Sequence, residues 1–287
     1  MTLLTIEAVF GIGVTIICIL FCLLFKTYQN AVIFKKYIKI CDNTGCVRCN
    51  SNKTVLKNAV NIFKRKEEFS SLKRISNAFT GSCRNENYVF YCDFLQRKEI
   101  WDISDLPNSY KEDINTLMVN IPLIKHEFIK KKVSGVFDEN WSKIYFLNQG
   151  SLNEKVSEEY SEISRILSKC DNLMKDCLFG YQFFSALKPG TKIDEHTGPT
   201  NARLRCHLSI QIPKLQTNED CYMSVNGLQI SWKSDGIILF DDSFIHNVVF
   251  NANSSKLDRV VLLLDFWHPE INEAERNCIS KCFSPKN

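Results

Sequence analysis

Apolar and polar residues alternate along much of the second half of the chain. Between 203 and 213 the apolar side chains of Leu204, Cys206, Leu208, Ile210 and Ile212 are separated by those of Arg203, Arg205, His207, Ser209 and Gln211. Because successive side chains of a strand point to opposite faces, this segment predicts a strand with one apolar and one strongly polar face. Similar segments predict strands at 141–147, 181–187, 221–225, 228–232, 237–240, 246–250 and 259–267. Short strands with tight turns, Asn226-Gly227 among them, predict a mainly β domain, a jelly roll or double-stranded β-helix.

Helical spacing dominates other parts of the chain. Apolar residues recur every three or four positions in 53–68, in 112–130 around Pro122, and in 154–169. Each of these segments predicts an amphipathic helix whose apolar side packs against a core. We therefore expect a group of helices in front of the β domain.

The beginning of the chain has a third pattern, an uninterrupted apolar run at 8–25. This run predicts a transmembrane signal anchor. A cleaved signal peptide fits less well, because no Lys or Arg precedes the run and no cleavage pattern follows it. The expected division is a tail at 1–7, the anchor at 8–25, a stalk at 26–52, a helical prelude at 53–140 and the β domain at 141–287.

Composition narrows the function classes. A hydrophobic fraction of 45% supports a packed core, and a net charge of +4 with no nucleic-acid module excludes nucleic acid as an expected partner. Among the 13 cysteines, Cys170 and Cys177 could pair in an oxidising lumen, although free buried thiols explain them equally.

Histidines supply the first candidate chemistry, since four of the five lie between 196 and 268. Two imidazoles on neighbouring strands, with open positions beside them, are the skeleton of a non-haem Fe(II) oxygenase site. His196 lies in a loop or at a strand edge and could be a surface histidine. His246 follows Asp241 and Asp242, which could orient it, form a turn, or in the case of Asp242 bind the metal.

Cationic side chains at positions expected to be buried supply the second candidate chemistry. Arg205 and His207 share the polar face of a strand, where a charge needs a partner: either a dicarboxylate ligand or a structural salt bridge. Arg259 opens an apolar strand and could bind a carboxylate with its planar fork or cap the strand end. Ser185 and Trp141 are equally compatible with ordinary core positions.

Four runs together resemble the aspartyl/asparaginyl β-hydroxylase family over residues 141–271. They are His-Thr-Gly-Pro-Thr-Asn (196–201), Arg-Leu-Arg-Cys-His-Leu (203–208), Phe-Asp-Asp-Ser-Phe-Ile-His (240–246) and Phe-Trp-His-Pro-Glu (266–270). A wider match, to the membrane-anchored aspartate β-hydroxylase domain-containing proteins, adds the anchor, Cys-Val-Arg-Cys (46–49), Asn-Gln-Gly (148–150) and Arg-Val-Val (259–261).

The resemblance implies a double-stranded β-helix that uses Fe(II), O2 and 2-oxoglutarate to hydroxylate an Asp or Asn side chain of a protein or peptide substrate. It implies His196 and His246 as iron ligands, with Gly198 where such oxygenases usually carry a carboxylate ligand, a feature the resembled β-hydroxylases share. The implied co-substrate residues are Ser185 and Arg259 at the distal carboxylate, Arg205, Cys206 and His207 at the other end, and Trp141 lining the pocket.

The resemblance also bears on location. It implies a single-pass protein of the endoplasmic reticulum or secretory pathway with a lumenal domain, whereas the lysines that follow the apolar run favour a cytosolic one. The helical-repeat region with which the full-length aspartyl hydroxylase grips its substrate is missing. The cofactor site therefore carries over better than the substrate does. A two-histidine site with Gly198 would hold iron less firmly than a full facial triad, so a non-catalytic membrane-anchored scaffold that keeps the barrel is the alternative. A third interpretation, a cupin that uses metal without an oxo-acid, would leave Arg259 without a role.

Overall fold

Two antiparallel sheets form the centre of the computed structural model. The larger has the strand order β1-β9-β6-β11-β4-β2-β3, and the smaller has the order β5-β10-β7-β8. The strands are β1 (Ile100–Trp101), β2 (Trp141–Asn148), β3 (Ser151–Leu152), β4 (Tyr181–Leu187), β5 (Thr191–His196), β6 (Arg203–Gln211), β7 (Cys221–Val225), β8 (Leu228–Ile230), β9 (Ile237–Phe240), β10 (His246–Phe250) and β11 (Arg259–Trp267). From β4 onward the chain alternates between the two sheets, contributing strands first to one and then to the other, as in a double-stranded β-helix.

The structure describes residues 46–47, 52–82, 88–131, 139–214, 220–251 and 255–285. The chain divides into two compact units, Met1–Cys41 and Asp42–Asn287, and all described residues belong to the second. The predicted anchor at 8–25 lies outside these ranges, as does most of the predicted stalk. Within them, no helix combines the length and the apolar character that crossing a membrane requires.

Helices cover one face of the larger sheet and both ends of the described chain. They are α1 (Asn52–Arg65), α2 (Lys73–Ser82), α3 (Asn108–Val119), α4 (Ile121–Lys131), α5 (Glu154–Glu159), α6 (Ser161–Ser168) and α7 (Glu273–Cys282). The predicted helix at 112–130 is in fact two, α3 and α4, that meet just before Pro122. Proline has no N–H to donate and is tolerated in the first turn of a helix, as at the start of α4.

The alternation along β6 explains how the sheets pack. Leu204, Leu208 and other even-numbered residues join Ile114, Phe128 and Ile163 of the helices in one buried cluster. The odd-numbered residues face the smaller sheet, and we call this side of the larger sheet its inner face. β11 is buried along all nine residues because the helices cover one of its faces and the smaller sheet the other.

A second apolar cluster joins α1, α2 and α7 to the end of β11. The N-terminus of α7 has a capping box in which the Asn272 side chain accepts a hydrogen bond from the Glu275 backbone, and the Glu275 side chain accepts one from Asn272. Arg74 of α2 donates to both carboxylate oxygens of Glu275, at 2.9 and 2.6 Å. The C-terminal helix thereby fixes the helical prelude to the barrel.

The disulfide considered for Cys170 and Cys177 is absent. Both are free and buried, Cys170 beside the helices on the outer side of the sheet and Cys177 in the second cluster. Burial raises the pKa of both thiols to about 12, so neither is a reactive thiolate at neutral pH. The interpretation of these residues as buried thiols is therefore correct.

Candidate functional site

Two histidines lie side by side on neighbouring strands of the smaller sheet. His196 is the last residue of β5 and His246 the first of β10, and the two are direct partners in the antiparallel pairing. Their ring centroids are 4.1 Å apart, with 52° between the ring planes. His246 is buried, whereas His196 is partly exposed. The strand register therefore brings the two predicted imidazoles together at the end of the barrel.

Backbone carbonyls orient both rings in the same way. The Nδ1 atom of His196 lies 2.8 Å from the carbonyl oxygen of Asp194, and that of His246 lies 2.9 Å from the carbonyl oxygen of Phe244. Because a carbonyl only accepts, each Nδ1 donates its proton, and in the neutral form of each ring the lone pair is on Nε2. This is the form in which imidazole binds metal ions in proteins.

The position two residues after His196 has no room for a side chain. A Cβ atom added to Gly198 would lie 2.5–2.6 Å from the carboxylate atoms of Asp242. The Gly198 amide also donates to the Asp242 carbonyl oxygen at 2.6 Å. In the part of the chain that the structure describes, no group of three or more His, Cys, Asp or Glu side chains could hold a metal ion. The two imidazoles are the candidate metal ligands that this end of the barrel brings together.

Asp242 belongs to a closed ion-pair network on the inner face. Its carboxylate accepts from Arg203 at 3.1 and 2.5 Å and lies 3.1 Å from a guanidinium nitrogen of Arg205. Asp265 pairs with Arg205 at 2.8 and 3.0 Å and with Arg203 at 3.0 Å. Burial alone would raise the pKa of Asp242, but the two guanidiniums outweigh burial and hold it well below its usual range. Two positive and two negative charges therefore neutralise one another.

Arg259 is buried without such partners. Its side chain is 1% exposed, and its Nε and Nη1 atoms have no hydrogen-bond partner. The guanidinium lies 4.7 Å from the ring centroid of Trp232. Burial lowers the pKa of Arg259 to about 10, so the group remains charged at neutral pH. A buried charge with unused donors is costly, and an anion placed against it would supply the missing partner.

Ser185 and Trp141 lie beside Arg259 because of the strand register. Leu187 of β4 has Trp141 of β2 on one side and Arg259 of β11 on the other. Ser185 lies two residues before Leu187 in β4 and therefore on the same face of the sheet. Its hydroxyl accepts a hydrogen bond from the Trp141 indole at 3.0 Å. A hydroxyl and an indole thus lie on the same face of the sheet as Arg259, on the neighbouring strands.

A series of ring contacts joins Arg259 to the imidazole pair. Trp232 stacks on His207 with centroids 6.0 Å apart, and His207 contacts the edge of Phe240 at 5.1 Å. Phe240 in turn contacts His246 at 5.5 Å. Burial, followed by the charge of Arg259, lowers the pKa of His207 well below its usual value, so this imidazole is neutral. Its buried Nδ1 has no hydrogen-bond partner.

The sequence matches one protein family over most of the β domain and the helices α3 to α6. The profile of the aspartyl/asparaginyl β-hydroxylases matches residues 109–269, more than half of the chain. The chain belongs to the aspartyl/asparaginyl β-hydroxylase family. It is 29% identical to aspartate β-hydroxylase domain-containing protein 2 of Xenopus tropicalis over 85% of this chain and 70% of that protein.

Two human members of the family are also similar. Aspartate β-hydroxylase domain-containing protein 1 is 38% identical over 67% of this chain and 53% of its own length. Aspartyl/asparaginyl β-hydroxylase is 33% identical over 59% of this chain and 23% of its own length.

Solved structures resemble the β-hydroxylase barrel only weakly. A 2OG-Fe(II) oxygenase family oxidoreductase from Burkholderia pseudomallei covers 61% of this chain and 93% of its own at 11% identity and a TM-score of 0.39. The collagen prolyl hydroxylase of Paramecium Bursaria Chlorella virus-1 covers 52% and 89% at 10% identity and a TM-score of 0.31. The fold assignment therefore rests on the strand topology.

Six of the eight residues expected at the β-hydroxylase site are connected in one region. Trp141, Ser185 and Arg259 are neighbours, and His207, His246 and His196 continue from them through Trp232 and Phe240. Arg205 shares the inner face, but its guanidinium is held by Asp265 and Asp242, as the salt-bridge interpretation of this residue expected.

Cys206, which was expected at the co-substrate with Arg205 and His207, has its side chain on the other face of the sheet. It is fully buried on the outer face of β6, in the cluster that packs against the helices. Successive side chains of a strand point in opposite directions, so Cys206 cannot share a ligand with Arg205 and His207 on its two sides. Burial and the nearby Cys170 raise the pKa of its thiol far above neutrality. Its position is that of a core residue.

Three residues of this region were not predicted from the sequence. Trp232, which holds both Arg259 and His207, follows the predicted hairpin and looked like an ordinary strand residue. Asp265 and Arg203 complete the ion-pair network. The acid in the apolar run 259–267 was a readable signal, because a carboxylate there requires a buried cation opposite it.

Proposed function

We propose that this β-hydroxylase family member is an Fe(II)- and 2-oxoglutarate-dependent dioxygenase that hydroxylates an Asp or Asn side chain of a protein substrate. The observation that carries the proposal is Arg259, a buried guanidinium with two unused donors. The rings of Trp232, His207 and Phe240 connect it to the paired imidazoles. A metal-binding pair and an anion-binding group in one barrel are what a bound metal with an acidic co-substrate requires.

The donor set fits Fe(II). His196 and His246 would hold the ion through Nε2, the nitrogen left as acceptor by the carbonyls at Nδ1. With Gly198 in the carboxylate position, water and the co-substrate would supply the remaining ligands. Bound iron would supply the activation of O2, which no side chain of the chain can perform.

The inner face fits a dicarboxylate. Arg259 and Ser185 would bind the distal carboxylate, and Trp141 would shield that end from water. The family resemblance assigns the other end to Arg205 and His207. His207 is neutral and has an unused Nδ1, so it can donate to or accept from a ligand. Arg205 would have to share its charge with Asp265 and Asp242.

Membrane attachment is part of the proposal. Residues 8–25 would anchor the chain in the endoplasmic reticulum or the secretory pathway, with the domain in the lumen, where a secreted protein substrate would meet it. The sequon Asn140-Trp-Ser reports the orientation. Glycosidase treatment of the cell-made protein should change its gel mobility. Full digestion of the domain by protease added to intact microsomes would contradict a lumenal location.

Calorimetry of 2-oxoglutarate binding, followed by a turnover assay, tests the proposal. The purified chain should bind 2-oxoglutarate in the presence of Mn(II) as a surrogate, and binding should weaken in His196→Ala and His246→Ala. With Fe(II) and O2 it should convert 2-oxoglutarate to succinate. The missing carboxylate ligand at Gly198 favours a second candidate, a barrel that serves as a scaffold. Binding of 2-oxoglutarate without turnover would support that candidate.

A further inference from the structure

Residues 88–101, here called the rim strap, are fixed to the loops beside both histidines. The Val89 amide donates to the Pro199 carbonyl at 2.8 Å, three residues after His196. The Tyr88 hydroxyl donates to the Ser243 carbonyl at 3.1 Å, three residues before His246. Two hydrogen bonds of 2.9 Å between the Cys92 backbone and the Asn201 side chain hold the middle. The strap is therefore fixed by hydrogen bonds beside the imidazole pair.

Arg97 is an exposed cation of this strap. Its guanidinium lies 4.0 Å from the ring centroid of Phe244 and 5.9 Å from that of Tyr91. Tyr91 stacks on Tyr88 with centroids 4.8 Å apart. The result is a row of aromatic faces with a cation held against one end.

Among the described residues, no carboxylate pairs with Arg97. Glu99 and Asp241 interact with Arg97 electrostatically at longer range, and their hydrogen bonds go to other groups: Glu99 accepts from the Asn226 side chain at 2.8 Å, and the buried Asp241 accepts from the Ser243 amide at 2.9 Å. The neighbouring Lys98, by contrast, forms an ion pair with Asp105. Arg97 is thus exposed to solvent and forms no ion pair with a carboxylate among the described residues.

The arrangement is coupled to the metal-binding residues. Phe244, on which Arg97 lies, provides the carbonyl oxygen that accepts the Nδ1 proton of His246. A ligand bound against Arg97 and Phe244 is therefore next to the loop that orients one imidazole. Planar guanidinium groups bind carboxylates with two donors, and aromatic faces bind peptide side chains at low entropic cost.

We infer that Arg97, with the faces of Tyr88, Tyr91 and Phe244, is the docking surface for a substrate peptide that carries an acidic side chain close to the residue to be hydroxylated. The inference rests on the proposed function and adds a specificity determinant to it. Charge complementarity identifies the occupant, because the strap offers an exposed guanidinium that forms no direct ion pair with a carboxylate of the described fold, and its donors can therefore bind one from a peptide.

The test uses two short fluorescein-labelled peptides that differ only in charge. One has an Asp flanked by Glu residues, and the other has Gln in place of each Glu. The full chain, loaded with Mn(II) and 2-oxoglutarate, should bind the Glu peptide more tightly in fluorescence anisotropy. Arg97→Gln should weaken that binding about tenfold, the loss expected for one charge-assisted contact, and leave the Gln peptide within about twofold. Lys98→Gln, the matched control, should leave the preference intact.

Three results would overturn the inference: no preference in the wild type, no measurable binding of either peptide, or an equal loss for both peptides in Arg97→Gln. The last, with a lower melting temperature, would make the Arg97–Phe244 contact purely structural. Calorimetry of 2-oxoglutarate on the same samples separates this inference from the proposed function. A Glu preference that depends on Arg97 in a chain without 2-oxoglutarate affinity would keep the docking surface and remove the dioxygenase.

Discussion

The inner face of the larger sheet has two groups of buried arginines with opposite surroundings. Arg203 is 1% exposed and Arg259 is 1% exposed, so solvent does not distinguish them. Arg203, together with Arg205, is enclosed by the carboxylates of Asp242 and Asp265. Arg259 has the ring of Trp232 and two donors without acceptors. The arginines of the first group have carboxylate partners within the protein, whereas Arg259 has none among the described residues.

This difference separates structure from binding. A closed ion-pair network contributes to the fold mainly by being intact, because removing one member leaves an uncompensated buried charge. An isolated buried guanidinium lowers stability in the empty protein and gains its partner only when an anion binds. Residues of the first group should therefore affect stability when changed, and residues of the second should affect co-substrate affinity.

The largest effect is expected from Asp265→Asn. The change leaves Arg203 and Arg205 with one carboxylate between them and should lower the free energy of unfolding by about 3–5 kcal/mol. Urea denaturation of the metal-free protein measures it. Asp235→Asn, which removes an ion pair between Lys125 and an exposed carboxylate, is the control and should change stability by about 0–1 kcal/mol. Equal effects of the two changes would show that the network is not the structural group.

Ser185→Ala sharpens the comparison from the open side. If Ser185 donates to a carboxylate held by Arg259, its loss should weaken 2-oxoglutarate binding by about 1.5–3 kcal/mol, roughly tenfold or more. The melting temperature should change little, since only the hydrogen bond from Trp141 is lost. Ser142→Ala is the control, because Ser142 is buried and accompanies Ala186 on the outer face. A similar loss of affinity in both variants would contradict the assignment.

A smaller effect concerns the pH dependence of His207. Burial keeps its pKa well below 6.5 in the folded protein, whereas the unfolded imidazole takes up a proton near 6.5. Stability should therefore fall as the pH drops below about 6.5, by up to about 1.4 kcal/mol per pH unit. Asp241 acts in the opposite sense, because burial raises its pKa to about 6 and the folded state gains a proton there first.

The difference between the wild type and His207→Gln isolates the histidine. Unfolding free energies at pH 7.5 and 5.5, without metal, should show a loss in the wild type that is smaller in the variant. Identical slopes would mean that His207 takes up its proton in the folded protein at the same pH as in the unfolded chain, and that its pKa is not lowered by burial.

The strands were predictable where they have a buried face. The predicted strands at 181–187, 221–225, 237–240, 246–250 and 259–267 have the observed bounds. β5 was missed because Thr-Lys-Ile-Asp-Glu-His has only Ile193 as an apolar strand residue, and its other positions are charged or polar. β1 and β3 are two residues long, too short for a period. α7 was missed although its capping box, Asn272 and Glu275, is readable in the sequence.

The site was predictable in its residue types but not in its pairing. Four histidines in one stretch and the family motifs pointed to His196 and His246, which the structure brings side by side. Whether Arg205 binds a ligand or an internal carboxylate depends on its register opposite Asp265, 60 residues away, which no local pattern contains. Cys206 is different, since the alternation along β6 already placed it on the face opposite Arg205.

The most direct test of the account is the behaviour of Arg259→Met, which keeps much of the stem and removes the charged fork. With Mn(II) present, calorimetry should show 2-oxoglutarate affinity reduced about a hundredfold or more, equivalent to about 3–5 kcal/mol. Without co-substrate, the melting temperature should equal or exceed that of the wild type, because an uncompensated charge has left the core. If the wild type has no affinity for 2-oxoglutarate and Arg259→Met melts much lower, Arg259 is a structural residue and the account is wrong.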